Sequence, residues 1–143
     1  MNATQHNKSD ITVFLVEDDE IDVMLLERAF KNAQITNPIV HAYDGVDAME
    51  KLNNGTVKKP FLIFLDLNMP RMNGFEFLEA LRANENHKKA IVFVLTTSKA
   101  EEDKCRAYNS QIAGYLVKEN VGEDFKNALS LLESFWNIVE FPE

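Results

Sequence analysis

A single cysteine, Cys105, in 143 residues rules out an intrachain disulfide and a cysteine-based metal cluster. Basic charge is also scarce, with 15 lysines and arginines against 23 aspartates and glutamates and a formal net charge of −8. That balance speaks against a nucleic-acid or anionic-membrane surface, where Lys and Arg have to dominate. The pairs Lys58-Lys59 and Lys88-Lys89 read as solvated loop charges. No apolar run approaches the roughly 20 residues that span a bilayer. The opening MNATQHNKSD lacks the apolar core of a secretion signal, so a cytoplasmic protein is expected. His6, His41 and His87 are dispersed and share no metal motif. Cys105 and Trp136 read as packing residues, the latter in a core or an interface.

Hydrophobic content of 45% and charged content of 27% are those of an ordinary globular domain. ITVFLV (11–16), FLIFL (61–65) and AIVFVL (90–95) are continuous apolar runs, and IVHA (39–42) and GYLV (114–117) are shorter ones. Strands without polar alternation are buried on both faces, which predicts a parallel sheet flanked by helices. Helical spacing lies between them: Ile21, Leu25 and Ala29 with Leu26 and Phe30, up to about Gln34; Val46, Met49 and Leu52; Phe75, Leu78 and Leu81 after Gly74. A charged helix from about Lys99 to Ser110 and a final one from about Gly122 toward Val139 complete the pattern. Asp18 or Asp19 can cap the first helix, and Asp44-Gly45 signals a turn. Five βα units with short connections predict an α/β, flavodoxin-like doubly wound fold, a five-stranded parallel sheet in the order 2-1-3-4-5. The expected organisation is a disordered stretch over 1–10, one domain over 11–138 and a tail over 139–143.

In such folds, functional groups collect outside the carboxyl ends of the strands. There the sequence puts Glu17, Asp18 and Asp19 after strand 1, Asp66 after strand 3, Thr96, Thr97 and Ser98 after strand 4, and Lys118 after strand 5. Neighbouring strands 1 and 3 bring Glu17, Asp18 and Asp66 together. Like charges about 4 Å apart cost several kcal/mol at an effective dielectric near 20. Either their pKa values rise or a cation joins them. An all-oxygen set suits a hard ion, Mg²⁺. Together with the Lys118 ammonium and a hydroxyl, such a site can handle a phosphoryl group, with a carboxylate attacking. An aspartate after an apolar strand is commonly just a turn or helix cap. Here the coincidence of four strand ends favours chemistry.

The segments FLVEDDE, FLDLNMPRMNGFEFL, VLTTS and GYLVK, in that order and at these separations, resemble the receiver domain of two-component response regulators. The resemblance implies that Asp66 is phosphorylated by a sensor histidine kinase or a histidine phosphotransfer protein. It assigns Mg²⁺ to Glu17, Asp18, Asp66 and the main-chain carbonyl of Asn68. Thr96 corresponds to the switch hydroxyl, Lys118 to the ammonium that meets the phosphoryl oxygens, and Tyr115 to the switch aromatic. Thr97 and Ser98 would tune access and phosphoryl lifetime, and Asp19 remains a helix cap. One position departs from the family: Glu119 stands where a proline, typically after a cis bond, follows the lysine. A non-proline cis bond costs about 2.5–4 kcal/mol, so this loop is either trans and reshaped or strained.

The output is expected on helix 4, strand 5 and helix 5. Phe125, Leu129, Leu132, Trp136 and Val139 form one apolar stripe on the last helix, while Leu131, Phe135, Ile138 and Phe141 lie off it. Either the tail folds back over a thick core or this side forms a homodimer, the latter being favoured. The ending SFWNIVEFPE and the first-helix DVMLLERAF resemble stand-alone regulators paired with bacterial phytochrome-type kinases, in which dimers form through this region. Three other readings stay in view. A phosphorylation-independent interaction module would make the intact site idle. An aspartate-nucleophile phosphohydrolase would place a second Asp where Asn68 stands. A flavodoxin would need a phosphate-cradling loop where EDDE stands. The main reading is therefore a switch that catalyses only its own phosphorylation and dephosphorylation, not a turnover enzyme.

Overall fold

The computed structural model describes residues 10–120 and 125–141. Five strands, β1 (Thr12–Val16), β2 (Ile39–Ala42), β3 (Phe61–Leu65), β4 (Ile91–Thr96) and β5 (Gly114–Val117), form one parallel sheet in the order β2-β1-β3-β4-β5. The helices are α1 (Glu20–Asn32), α2 (Gly45–Asn53), α3 (Gly74–Ala83), α4 (Glu101–Asn109) and α5 (Lys126–Ile138). The expected disordered stretch over 1–10 lies almost wholly outside the described residues, as does the predicted start of the last helix near Gly122.

Strand alternation sorts the core into two halves. Val13, Leu15, Leu62, Phe64, Phe93 and Leu95 pack with α1 and α5 on one face. Phe14, Val16, Ile63, Leu65, Val92 and Val94 pack with α2, α3 and α4 on the other. Each inner strand is buried along both faces, which is why it carries no polar alternation. Continuing the alternation past the strand ends places Glu17 after Leu15, Asp66 after Phe64 and Lys118 after Leu116, all with the parity of the α1–α5 face.

Local signals explain the helix starts. Asp19 caps α1, accepting from the Ile21 N–H at 2.9 Å and the Asp22 N–H at 3.4 Å. Asn73 and Glu76 form a reciprocal capping box at α3. Asp44, expected in a turn, is the N-cap of α2.

One reading needs correction, and one open alternative is resolved. Cys105 is exposed, because α4 buries only Ala107 and residue 105 points roughly 200° away on a 100°-per-residue helix. Residues Lys118–Asn120 form a 3-10 turn, and the only cis bond among the described residues is Lys59–Pro60, so the loop at Glu119 is the trans, reshaped alternative. Leu129, Leu132 and Trp136 of α5 and its N-cap Phe125 are buried as the stripe predicts, whereas Val139, just past the helix end, is half-buried. Off the stripe, Phe135 meets Phe93 edge-on with centroids 5.0 Å apart and Phe141 stacks edge-on to Phe135 at 6.0 Å, so the tail does fold back. Ile138 is left 83% exposed.

Candidate functional site

Glu17 and Asp66 end adjacent strands in register, since the Val16–Leu65 pair precedes them. The Asp66 N–H donates to the Val16 carbonyl at 3.0 Å and the Glu17 N–H to that of Ala42 at 3.0 Å, so both backbones are tied to the sheet. Both residues are buried, Glu17 at 2% and Asp66 at 6% exposure. Asp18 is exposed beside them, and oxygens of Glu17, Asp18 and Asp66 lie within 4.8 Å of one another. Only oxygen donors converge here, the chemistry that suits Mg²⁺ or Mn²⁺, and the fit is good.

Electrostatics point the same way. Burial first, and the neighbouring Asp66 charge second, push the Glu17 carboxyl from 4.5 up to about 9. Burial likewise raises Asp66, against the opposing pull of Lys118. Burial alone would lower the Lys118 ammonium, but its hydrogen bonds to Asp22 and Glu17 prevail and raise it. Lys118 Nζ donates to Glu17 Oε1 at 2.8 Å and Asp22 Oδ2 at 2.6 Å, and stands 3.9 Å from Asp66 Oδ2.

Asn68 is exposed, and its N–H approaches Asp66 Oδ1 at 3.4 Å. Thr96 is fully buried at the end of β4. Ser98 links the neighbouring parts: its N–H reaches Thr96 Oγ1 at 3.4 Å, its carbonyl accepts the Tyr115 hydroxyl at 2.9 Å, and its own hydroxyl donates to Asp103 at 2.6 Å. Thr97 is exposed beside it. Lys99 and Glu119 pair across the two loops that flank the site.

Asp22 was not singled out from the sequence. Its signal was available: it lies one turn ahead of buried Leu26 on the same helical face, where a charge needs a partner.

The family model for the response regulator receiver domain matches residues 13–130. Response regulator Rcp1 of Synechocystis sp. is 34% identical over 87% of each chain. The structure of its Mn²⁺-bound form superposes with a TM-score of 0.77 at 32% identity, covering 92% of this chain and 99% of that one. The phosphorylated cyanobacterial phytochrome response regulator RcpA gives a TM-score of 0.79 at 29% identity, covering 94% and 99%. The probable methanogenesis regulatory protein FilR2 of Methanothrix harundinacea is 33% identical, over 87% of this chain and 82% of its own.

Proposed function

The chain belongs to the response regulator receiver domain family, and from that premise we propose that it is a phosphorylation switch whose acceptor is Asp66. The observation that carries this is a buried carboxylate 3.9 Å from the Lys118 ammonium and among oxygens able to hold a divalent cation. The donor is a sensor histidine kinase or a histidine phosphotransfer protein. An Asp66 oxygen attacks phosphorus; the O–P bond forms as the P–N bond to the donor imidazole breaks, and the ring nitrogen leaves with the electron pair. Water later attacks the same phosphorus, releasing inorganic phosphate and restoring the carboxylate. Glu17, Asp18, Asp66 and the Asn68 carbonyl are the groups for Mg²⁺, which when bound offsets charge on the phosphoryl oxygens.

Lys118 adds a donor to those oxygens, and the Thr96 hydroxyl a second. Turning Thr96 toward the phosphoryl group gives up its contact with the Ser98 N–H, and Ser98 in turn holds Tyr115. That route leads from the site to α4, β5 and α5, the surface we assign to output. The new group only biases an existing equilibrium, by its differential affinity for the two states. The switch domain spans 11–138 with 139–143 as tail, it works in the cytoplasm, and a homodimer forms around the exposed Ile138 of α5. The likeness to Rcp1 and to a phytochrome response regulator supports a phytochrome-type kinase as donor.

The test is intact mass and light scattering with Mg²⁺ and acetyl phosphate, on the natural chain and Asp66→Asn. Gain of one phosphoryl mass by the natural chain alone supports the reading. No gain, or equal gain by the variant, overturns it.

A further inference from the structure

Lys118 is engaged by two carboxylates that flank the acceptor. Asp22, on α1, holds Nζ at 2.6 Å, closer than Glu17 at 2.8 Å, whereas Asp66 stands at 3.9 Å. Asp22 itself is fixed in the first turn of α1, whose start is capped by Asp19 and whose buried face holds Leu26. The lysine side chain is 15% exposed and that of Asp22 is 22%, so water screens the pair only partly.

The three carboxylates do not stand in the same relation to a cation. Glu17, Asp18 and Asp66 form the convergent oxygen trio that includes the acceptor, and a cation there competes with Lys118 for Glu17; Asp22 belongs to a second convergent group, with Glu17 and Asp19. In that second group the Lys118 ammonium already engages Asp22 and the start of α1 engages Asp19, so Asp22 serves the ammonium. Remove Asp22, and the nearest remaining buried carboxylate besides Glu17 is Asp66. A charge-assisted N–H···O contact closes to about 2.8 Å, so the ammonium would settle on the nucleophile. There it would occupy the lone pairs that attack phosphorus and the space an incoming phosphoryl oxygen needs.

We propose that Asp22 is a positioning residue that holds the Lys118 ammonium back from Asp66, keeping the nucleophile free and preserving the gap a phosphoryl oxygen fills. This rests on Asp66 being the acceptor. The experiment compares Asp22→Asn, Asp22→Glu, Lys118→Ala and the Asp22→Asn/Lys118→Ala pair, with Asp22→Ser as a second truncation should the amide variant fold poorly. Three readouts are taken: the rate of labelling by acetyl phosphate, Mg²⁺ affinity by calorimetry, and a metal-free crystal structure.

Asp22→Asn is expected to label about tenfold more slowly, with Mg²⁺ affinity unchanged and Nζ drawn to hydrogen-bond distance from Asp66. Asp22→Glu should recover part of the rate, and the amide should have no further effect once Lys118 is gone. A weakened Mg²⁺ affinity would make Asp22 a metal ligand and overturn the proposal. Equal slowing in the Lys118→Ala background, or an unmoved lysine, would overturn it too. If the natural chain labels but Asp22→Asn labels equally fast, only the positioning role fails. If the natural chain never labels, the acceptor reading fails, and the metal-free distance still decides whether Asp22 restrains Lys118.

Discussion

Gly74 lies so close under the main chain of Asp66 that a β-carbon on it would stand 2.5 Å from the Asp66 carbonyl oxygen and 2.7 Å from Leu67 Cα. The obstacle is backbone, which cannot rotate aside. The Gly74 N–H also donates to the Leu67 carbonyl at 3.0 Å, joining the start of α3 to the Asp66 loop. Gly74→Ala should therefore displace the Asp66 loop and cost about 1–3 kcal/mol, the range for overpacking a tight site. Urea unfolding checks the stability loss, and acetyl phosphate labelling should fall with it. An unchanged unfolding midpoint would mean that α3 slides freely, against the contact seen.

The raised pKa of Glu17 gives a pH dependence with a definite sign. A folded pKa above the unfolded one contributes stability that is complete below the unfolded value of 4.5 and is lost as pH rises toward about 9. The metal-free protein should therefore lose stability across that window. A divalent cation displaces the proton, so the stabilisation given by Mg²⁺ should grow from about pH 6 to about pH 8.5. At a hundredfold excess over Kd it amounts to about 2.7 kcal/mol. Thermal unfolding with and without Mg²⁺ measures this. Glu17→Gln should abolish the Mg²⁺ response while stabilising the metal-free protein at the higher pH, because a buried charge is gone.

Asp44 titrates the other way. Its hydrogen bonds with Arg71, at 2.6 and 3.0 Å, hold its carboxyl below the ordinary 3.8 despite the opposing effect of burial. A depressed pKa contributes stability above the unfolded value and loses it as pH falls through the folded one. Asp44 also caps α2, accepting from the Asp47 N–H at 2.9 Å. Asp44→Ala should cost about 1–2 kcal/mol near neutrality, chiefly as a lost cap. The difference from the natural chain should shrink below about pH 4. A constant difference down to strongly acid pH would show that the charge contributes nothing beyond the cap.

Much of this was legible because it is local. β3 coincides with the apolar run read from the sequence, since a parallel strand buried on both sides advertises itself without reference to any partner, and the half-buried edge strands β2 and β5 coincide with the shorter runs. Glu17, Asp66 and Lys118 were legible for a related reason: each follows directly on a strand, and strand order alone brings the ends together. What escaped depends on distant partners. Asp22 meets Lys118 across 96 positions. Arg82 donates to the carbonyls of Ser110, Lys88, Ala90 and Gln111, a clamp on two loops that helical periodicity cannot foresee. Cys105 looked like core by residue type, yet the face of α4 was decided by where Ala107 meets the sheet.

The tail offers the last test, because two explanations for its apolar residues fall on different side chains. Phe135 is held between Phe93 and Phe141, so it serves the monomer. Ile138 is 83% exposed among the described residues. Phe135→Ala should thus cost about 2–4 kcal/mol in unfolding, a little less than a fully buried phenylalanine. Ile138→Glu should change monomer stability by no more than about 0.5 kcal/mol. In a dimer built around α5, however, it would bury two carboxylates against each other, and light scattering should report a shift to monomer at concentrations where the natural chain is dimeric. If both variants keep the natural chain's mass in solution while Phe135→Ala lowers stability as stated, the aromatic ladder is purely intramolecular. The dimer, if one forms, would then have to use a surface other than α5.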